Sequence, residues 1–78
     1  MFVKFKDKYD TEAFLNLSNI DMFYVLTKEN ASYAEDVGKV RVEFSGDHTI
    51  LSKESSDKFL KLFDSNNYIG FYETAKND

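Results

Sequence analysis

Apolar and polar residues alternate along this chain in short runs of period two, and only near residues 52–64 does the spacing become helical. Val3 and Phe5 alternate with Lys4 and Lys6, which predicts a strand over Phe2 to Lys6 with one solvated face. Lys8 to Thr11 is a polar turn, and Glu12 to Leu17 reads as a second strand joined to the first in a hairpin. Ser18 and Asn19 interrupt the pattern. The stretch from Ile20 or Asp21 to Glu29 is then rich in aromatic and branched side chains; a helix is the alternative there, but Phe23-Tyr24-Val25 favours a third strand. Residues 30–38 have no period and predict a loop or a single helical turn, the element most prone to movement.

The clearest signal follows. Lys39-Val40-Arg41-Val42-Glu43-Phe44 alternates without a fault, so Val40, Val42 and Phe44 face a core. Ser45-Gly46-Asp47 supplies a tight turn with Gly46 at positive φ, and His48 to Leu51 returns as a fifth strand. Ser52 and Ser55 are both cap candidates for a helix whose apolar stripe is Phe59, Leu60, Leu62 and Phe63, with Asp57 placed in its first turn. Asn66-Asn67 ends it, Tyr68 to Tyr72 reads as a short last strand, and residues 74–78 as a frayed tail. The expected fold is therefore α+β: an antiparallel sheet or small open barrel of five to six strands with one C-terminal amphipathic helix. Residues 1–73 form a single β-rich domain.

Composition narrows the picture. A chain of 78 residues makes one domain, and at this size only roughly 60–65% of the unfolded surface is hidden, leaving a stability margin of a few kcal/mol. There is no cysteine, so disulfides and thiolate metal sites are excluded, and the core falls to eight Phe and five Tyr with no Trp. Lys4 and Lys6 break the first apolar stretch, so no signal peptide is expected, and no apolar run approaches a membrane span. The cytoplasm is the expected location.

The net charge of −4 is not spread evenly. Residues 29–57 hold seven acids (Glu29, Glu35, Asp36, Glu43, Asp47, Glu54, Asp57) against Lys39, Arg41 and Lys53, which accounts for all of it. Blind attraction to nucleic acid or an anionic membrane is disfavoured, and a protein with a basic surface is the natural complement.

Catalytic chemistry finds no foothold. His48 is the only histidine and has only the turn residues Asp47 and Ser45 nearby in sequence. Asp7, Asp10 and Glu12 lack the remaining ligands of a calcium loop, and Gly38, Gly46 and Gly70 are too isolated to cradle phosphate. The expectation is no enzyme, no cofactor and no metal.

Phe14-Leu15-Asn16-Leu17-Ser18-Asn19-Ile20, the hairpin around Gly46 and the Glu54-Ser55 helix start together resemble the small bacterial flagellar-operon proteins of the FlbD type, over residues 12–63. The long 30–38 loop and the 68–72 segment depart from that pattern. The resemblance implies a small regulatory interaction module and carries no catalytic residues.

Three binding readings follow. The leading one is a non-catalytic protein-binding module, a regulator or inhibitor of phage or mobile-element origin in low-GC bacteria. It would block a basic nucleic-acid-handling enzyme, as anti-CRISPR proteins do, through Glu29, Tyr33, Glu35, Asp36, Glu43 and Asp47. The alternative is a single-stranded nucleic-acid-binding domain that stacks bases on Tyr24, Tyr68 or Phe71 beside Lys4, Lys6 and Lys8. Self-association as a homodimer, through an edge strand at Phe2–Lys6 or Tyr68–Tyr72, is the third.

Overall fold

Alternation in the sequence becomes five antiparallel strands and one helix in the computed structural model, which describes residues 1–64. The strands are β1 (Phe2–Lys6), β2 (Glu12–Asn16), β3 (Met22–Val25), β4 (Val40–Phe44) and β5 (Asp47–Ile50), and the helix is α1 (Lys53–Asp64). One-turn 3-10 helices cover Leu17–Asn19 and Ala34–Asp36. The strand expected at Tyr68–Tyr72, the stop at Asn66-Asn67 and the 74–78 tail lie outside the described residues.

The strands form two sheets, a β1–β2 hairpin and a β3–β4–β5 meander, with no closed barrel. Each tight turn follows from its residues. Asp7 Oδ1 accepts the N–H groups of Tyr9 and Thr11, both at 2.9 Å, and this fixes the β1–β2 turn with Asp10 at φ 68°. Ser45 and Gly46 both take positive φ (50° and 79°), the two-residue hairpin form that matches strand twist.

Two elements are shorter than the period predicts, for local reasons. Asn16 Oδ1 accepts the Ser18 N–H at 3.1 Å and winds the chain into a 3-10 turn, so β2 ends one residue before Leu17. β3 ends at Val25 rather than Glu29. Asn30 Oδ1 takes the Thr27 N–H at 2.6 Å and Thr27 O takes the Ala31 N–H at 3.0 Å, which satisfies that backbone without a ladder.

The two sheets meet where β5 ends. Leu51 bridges Asp7, Ile50 O accepts the Lys8 N–H (2.8 Å) and Lys6 O accepts the Ser52 N–H (2.9 Å), so the chain passes from the β4 ladder to that of β1. Phe5, Leu15, Val40, Val42, Leu51 and Phe59 are buried between the sheets and α1 as one core. Phe44, expected inside with Val40 and Val42, is half-buried and packs on the margin. Phe59 sits edge-on to Phe5 and Phe23, with ring centroids at 5.5 and 4.9 Å, and Phe63 stacks against both Phe23 and Phe59.

The helix starts one residue after Ser52, whose Oγ accepts the Ser55 N–H at 3.1 Å, so Ser52 is the cap. Glu54 is the acid of the first turn; Asp57 lies one turn further on and pairs with Lys53 at 2.8 Å. Leu62, expected in the buried stripe, is 36% exposed. The face that packs runs instead through Ser55, Ser56, Phe59, Leu60 and Phe63, a spacing of three and four residues. Its two serines complete the strands. Ser55 Oγ accepts the Lys6 N–H (2.9 Å), while Ser56 Oγ accepts the Val40 N–H (2.8 Å) and donates to Leu51 O (3.4 Å).

Ser56→Ala leaves a buried N–H and a buried carbonyl without this partner, an expected loss of about 1–3 kcal/mol. Phe59→Ala empties the centre of the core, an expected loss of about 3–5 kcal/mol, comparable to the whole margin. Urea denaturation is expected to find Ser56→Ala folded with a lowered midpoint and Phe59→Ala largely unfolded without denaturant.

Candidate functional site

The 30–38 loop is short of apolar residues, and one charged group holds it down. The 3-10 turn at Ala34–Asp36 turns the Asp36 side chain inward, where it is 1% exposed. Gly38, at φ 93°, then returns the chain to β4, with its N–H donated to Leu26 O at 2.9 Å. Lys8 Nζ donates to Asp36 Oδ2 at 2.5 Å and Lys39 Nζ donates to Oδ1 at 3.1 Å. The loop is thereby tied to the β1–β2 turn on one side and to the start of β4 on the other.

A buried carboxylate between two ammonium groups is held below the usual carboxylate range. The Lys8 hydrogen bond lowers the Asp36 pKa against the opposing effect of burial, with Lys39 adding to the lowering. The Lys8 pKa is raised, first by its hydrogen bond to Asp36. Lys8 is also wrapped by aromatic rings, with its Nζ at 4.7 Å from the Tyr33 centroid and 5.4 Å from that of Tyr9. The outer parts of both rings stay exposed, at 77% for Tyr9 and 60% for Tyr33.

These tyrosines flank an open groove of about 390 Å³ whose floor and far side include Asp36, Arg41, His48 and Ile50. Strand register explains the far side. Arg41 lies opposite Ile50 and Glu43 opposite His48 on the outer face of β4 and β5. Glu43 Oε2 holds Arg41 Nε at 3.0 Å and accepts the Tyr24 hydroxyl at 3.3 Å, so this wall is itself hydrogen-bonded.

Of the six residues expected to contact a partner, Tyr33 and Asp36 line this groove and the other four do not. Asp36 is no surface acid, since both its oxygens are taken and its side chain is enclosed. Its hydrogen bonds to Lys8 and Lys39 tie down the loop that carries Tyr33. Glu43 is half-buried in the wall behind Arg41, Asp47 accepts the His48 N–H at the β5 start (2.7 Å), and Glu29 and Glu35 are exposed. Tyr9, Arg41 and His48 were missed by sequence reasoning. Period-two pairing across the Gly46 hairpin places Arg41 and His48 on one face, whereas nothing local in the sequence brings Tyr9 to it.

The nucleic-acid surface changes more. Lys4 pairs with Glu12 (3.6 Å), Lys6 with Asp10 (3.4 Å) and Lys8 with Asp36, and Tyr24 is half-buried against Glu43. Tyr68 and Phe71 lie outside the described residues. Among the described residues no group of three or more His, Asp or Glu side chains is arranged to hold a metal, and no helix is long and apolar enough to cross a membrane.

Asp36→Asn leaves Lys8 and Lys39 without their counter-charge and is expected to cost about 3 kcal/mol at neutral pH. The sign of its pH dependence is fixed. Because the folded pKa of Asp36 is depressed, its contribution is complete above the ordinary carboxylate range and fades as pH falls through the folded value. Lys8, raised in the fold, contributes fully below the ordinary lysine range and loses that contribution as pH rises through its folded value. Chemical denaturation between about pH 2 and pH 7 is expected to show the gap between wild type and Asp36→Asn narrowing below about pH 4, where aspartates ordinarily titrate.

No family model, curated protein or solved structure matches this chain, so its function is argued from the groove itself.

Proposed function

We propose that this protein is a non-catalytic protein-binding module, a regulator or inhibitor that grips a basic partner surface with the groove between Tyr9 and Tyr33. The observation that carries this reading is the pairing of two exposed tyrosines with a fully engaged salt-bridge cluster beneath them. Tyrosine gives a large contact area with few rotatable bonds, and the Lys8–Asp36–Lys39 contacts fix the backbone that carries both rings. Little ordering entropy is then left to lose when a partner binds.

Charge supports the same reading. Lys8, Lys39 and Arg41 each already contact a carboxylate, the two lysines sharing Asp36 and Arg41 pairing with Glu43, while Glu35 is exposed on the loop beside Tyr33. An arginine or lysine side chain from a partner meets the exposed outer parts of the two tyrosine rings, on the side away from Lys8, and a nearby carboxylate. A nucleic-acid-handling enzyme, with its basic channel, is the class of partner this chemistry suits.

Affinity capture from a bacterial host lysate tests the surface. Wild type is expected to retain a basic protein that Tyr33→Ala and Glu35→Lys each lose at least roughly tenfold, the effect of removing one interface anchor. Asp57→Lys, on the exposed side of α1, is expected to retain it. Equal capture by all four proteins overturns the assignment of this groove.

A further inference from the structure

Among the described residues, β2 is the free edge of the first sheet, with no strand paired to its outer side. Asp7 N–H donates to Thr11 O and Leu17 N–H to Met1 O, so ladder alternation turns the odd-numbered residues of β2, Ala13 and Leu15, toward β1. The N–H and C=O groups of Glu12, Phe14 and Asn16 therefore point away from the hairpin. β1, the strand expected to be an edge, is engaged on its other side through Lys6 and Lys8, which bond to Ser52, Ser55 and Ile50.

The β2 edge lacks the features that keep such edges from pairing. It has no proline and no inward-pointing charge, since Ala13 and Leu15 face the core. Two large apolar side chains stand on the outer face of the hairpin, Phe14 of β2 at 68% exposure and Phe2 of β1 at 69%, beside a shallow apolar recess shared with Ile20 and Phe44. Phenylalanines this exposed are a cost to a lone monomer that burial recovers.

We infer that β2 pairs antiparallel with β2 of a second copy of this chain, about a two-fold axis at Phe14. The free groups at positions 12, 14 and 16 are symmetric about Phe14, so an antiparallel copy matches every donor to an acceptor. Phe14 then lies beside the partner's Phe14, and Glu12 beside the partner's Asn16. No like charges are opposed, and Glu12 keeps its contact with Lys4. On the inner face, Leu15 meets the partner's Ala13, which makes the two cores continuous. The opposite edge, β3, offers fewer groups: alternation from the Leu26–Lys39 bond leaves Phe23 and Val25 facing outward.

Sedimentation equilibrium from roughly 1 µM to roughly 1 mM, a span that brackets weak and moderate affinities, tests this directly. Wild type is expected to move toward twice its chain mass of 9.1 kDa. Phe14→Lys is expected to stay at the single-chain mass with an unchanged circular dichroism spectrum, and Val25→Lys, on the β3 edge, to dimerise like wild type. Hydrogen exchange on wild type, which needs no variant to fold, is expected to show the Phe14 amide protected only at high concentration. Wild type that remains single-chain throughout, a Phe14 amide whose exchange ignores concentration, or a dimer that Phe14→Lys leaves intact each overturns the inference.

Discussion

Everything in this molecule hangs on the corner at Ile50–Ser52, where one strand leaves its own ladder and enters another. A chain of 78 residues cannot fill a separate core for each of two sheets. It makes one core by sharing a strand end between them, and Leu51 at 2% exposure lies where both meet. Such a corner costs a backbone hydrogen bond: the Leu51 N–H still donates to Val40 O at 2.9 Å, but the Val40 N–H does not return the bond. The Ser56 hydroxyl fits that gap, accepting from one strand and donating to the other. The helix is thus part of the sheet's hydrogen bonding as well as its cover, which explains two serines on a face that amphipathic patterning alone would fill with leucines.

The same corner builds the groove. Ile50 O accepts the Lys8 N–H, which fixes where the Lys8 side chain begins; Lys8 reaches Asp36; and Asp36 draws the 30–38 loop down so that Tyr33 stands near Tyr9. A loop with the composition of a mobile element is in this way held as a fixed rim. Buried charge clusters are a poor source of net stability, because desolvation consumes most of the attraction. Their use here is positional. A hydrophobic side chain at position 36 would anchor the loop as strongly, but with neither the directional bonds to two different elements nor the cation held against both tyrosine rings.

Much of this was legible in the sequence, and the limits have physical reasons. Val40, Val42 and the Ser45-Gly46 turn are local in origin, one set by strict alternation and the other by positive φ, so they emerge as expected. The overlong β3 is equally instructive. Aromatic and branched content marks a strand, but Asn30 ends it through a side-chain hydrogen bond that composition does not reveal. Asp36 is the larger miss. An acid in a polar loop resembles its exposed neighbour Glu35 in every local respect, and what buries it is Lys8, 28 positions away. Tyr9 joins the groove for the same non-local reason, whereas Arg41 and His48 follow from hairpin register alone.

The hairpin of β1 and β2 has two flanks, and they carry different tasks. Its β1 flank, from Lys6 to Lys8, is committed to the corner and to the groove. Its β2 flank has no strand partner among the described residues and carries exposed phenylalanine. Strand addition at β2 leaves Tyr9 and Tyr33 untouched, since their positions depend on the opposite flank, so a two-fold pair of chains presents two complete grooves on one continuous core. A groove with only a few side chains of contact binds weakly by itself. Two of them fixed in one rigid body make the second contact intramolecular, and affinity for a partner with repeated basic surface then rises without any new interaction in either groove.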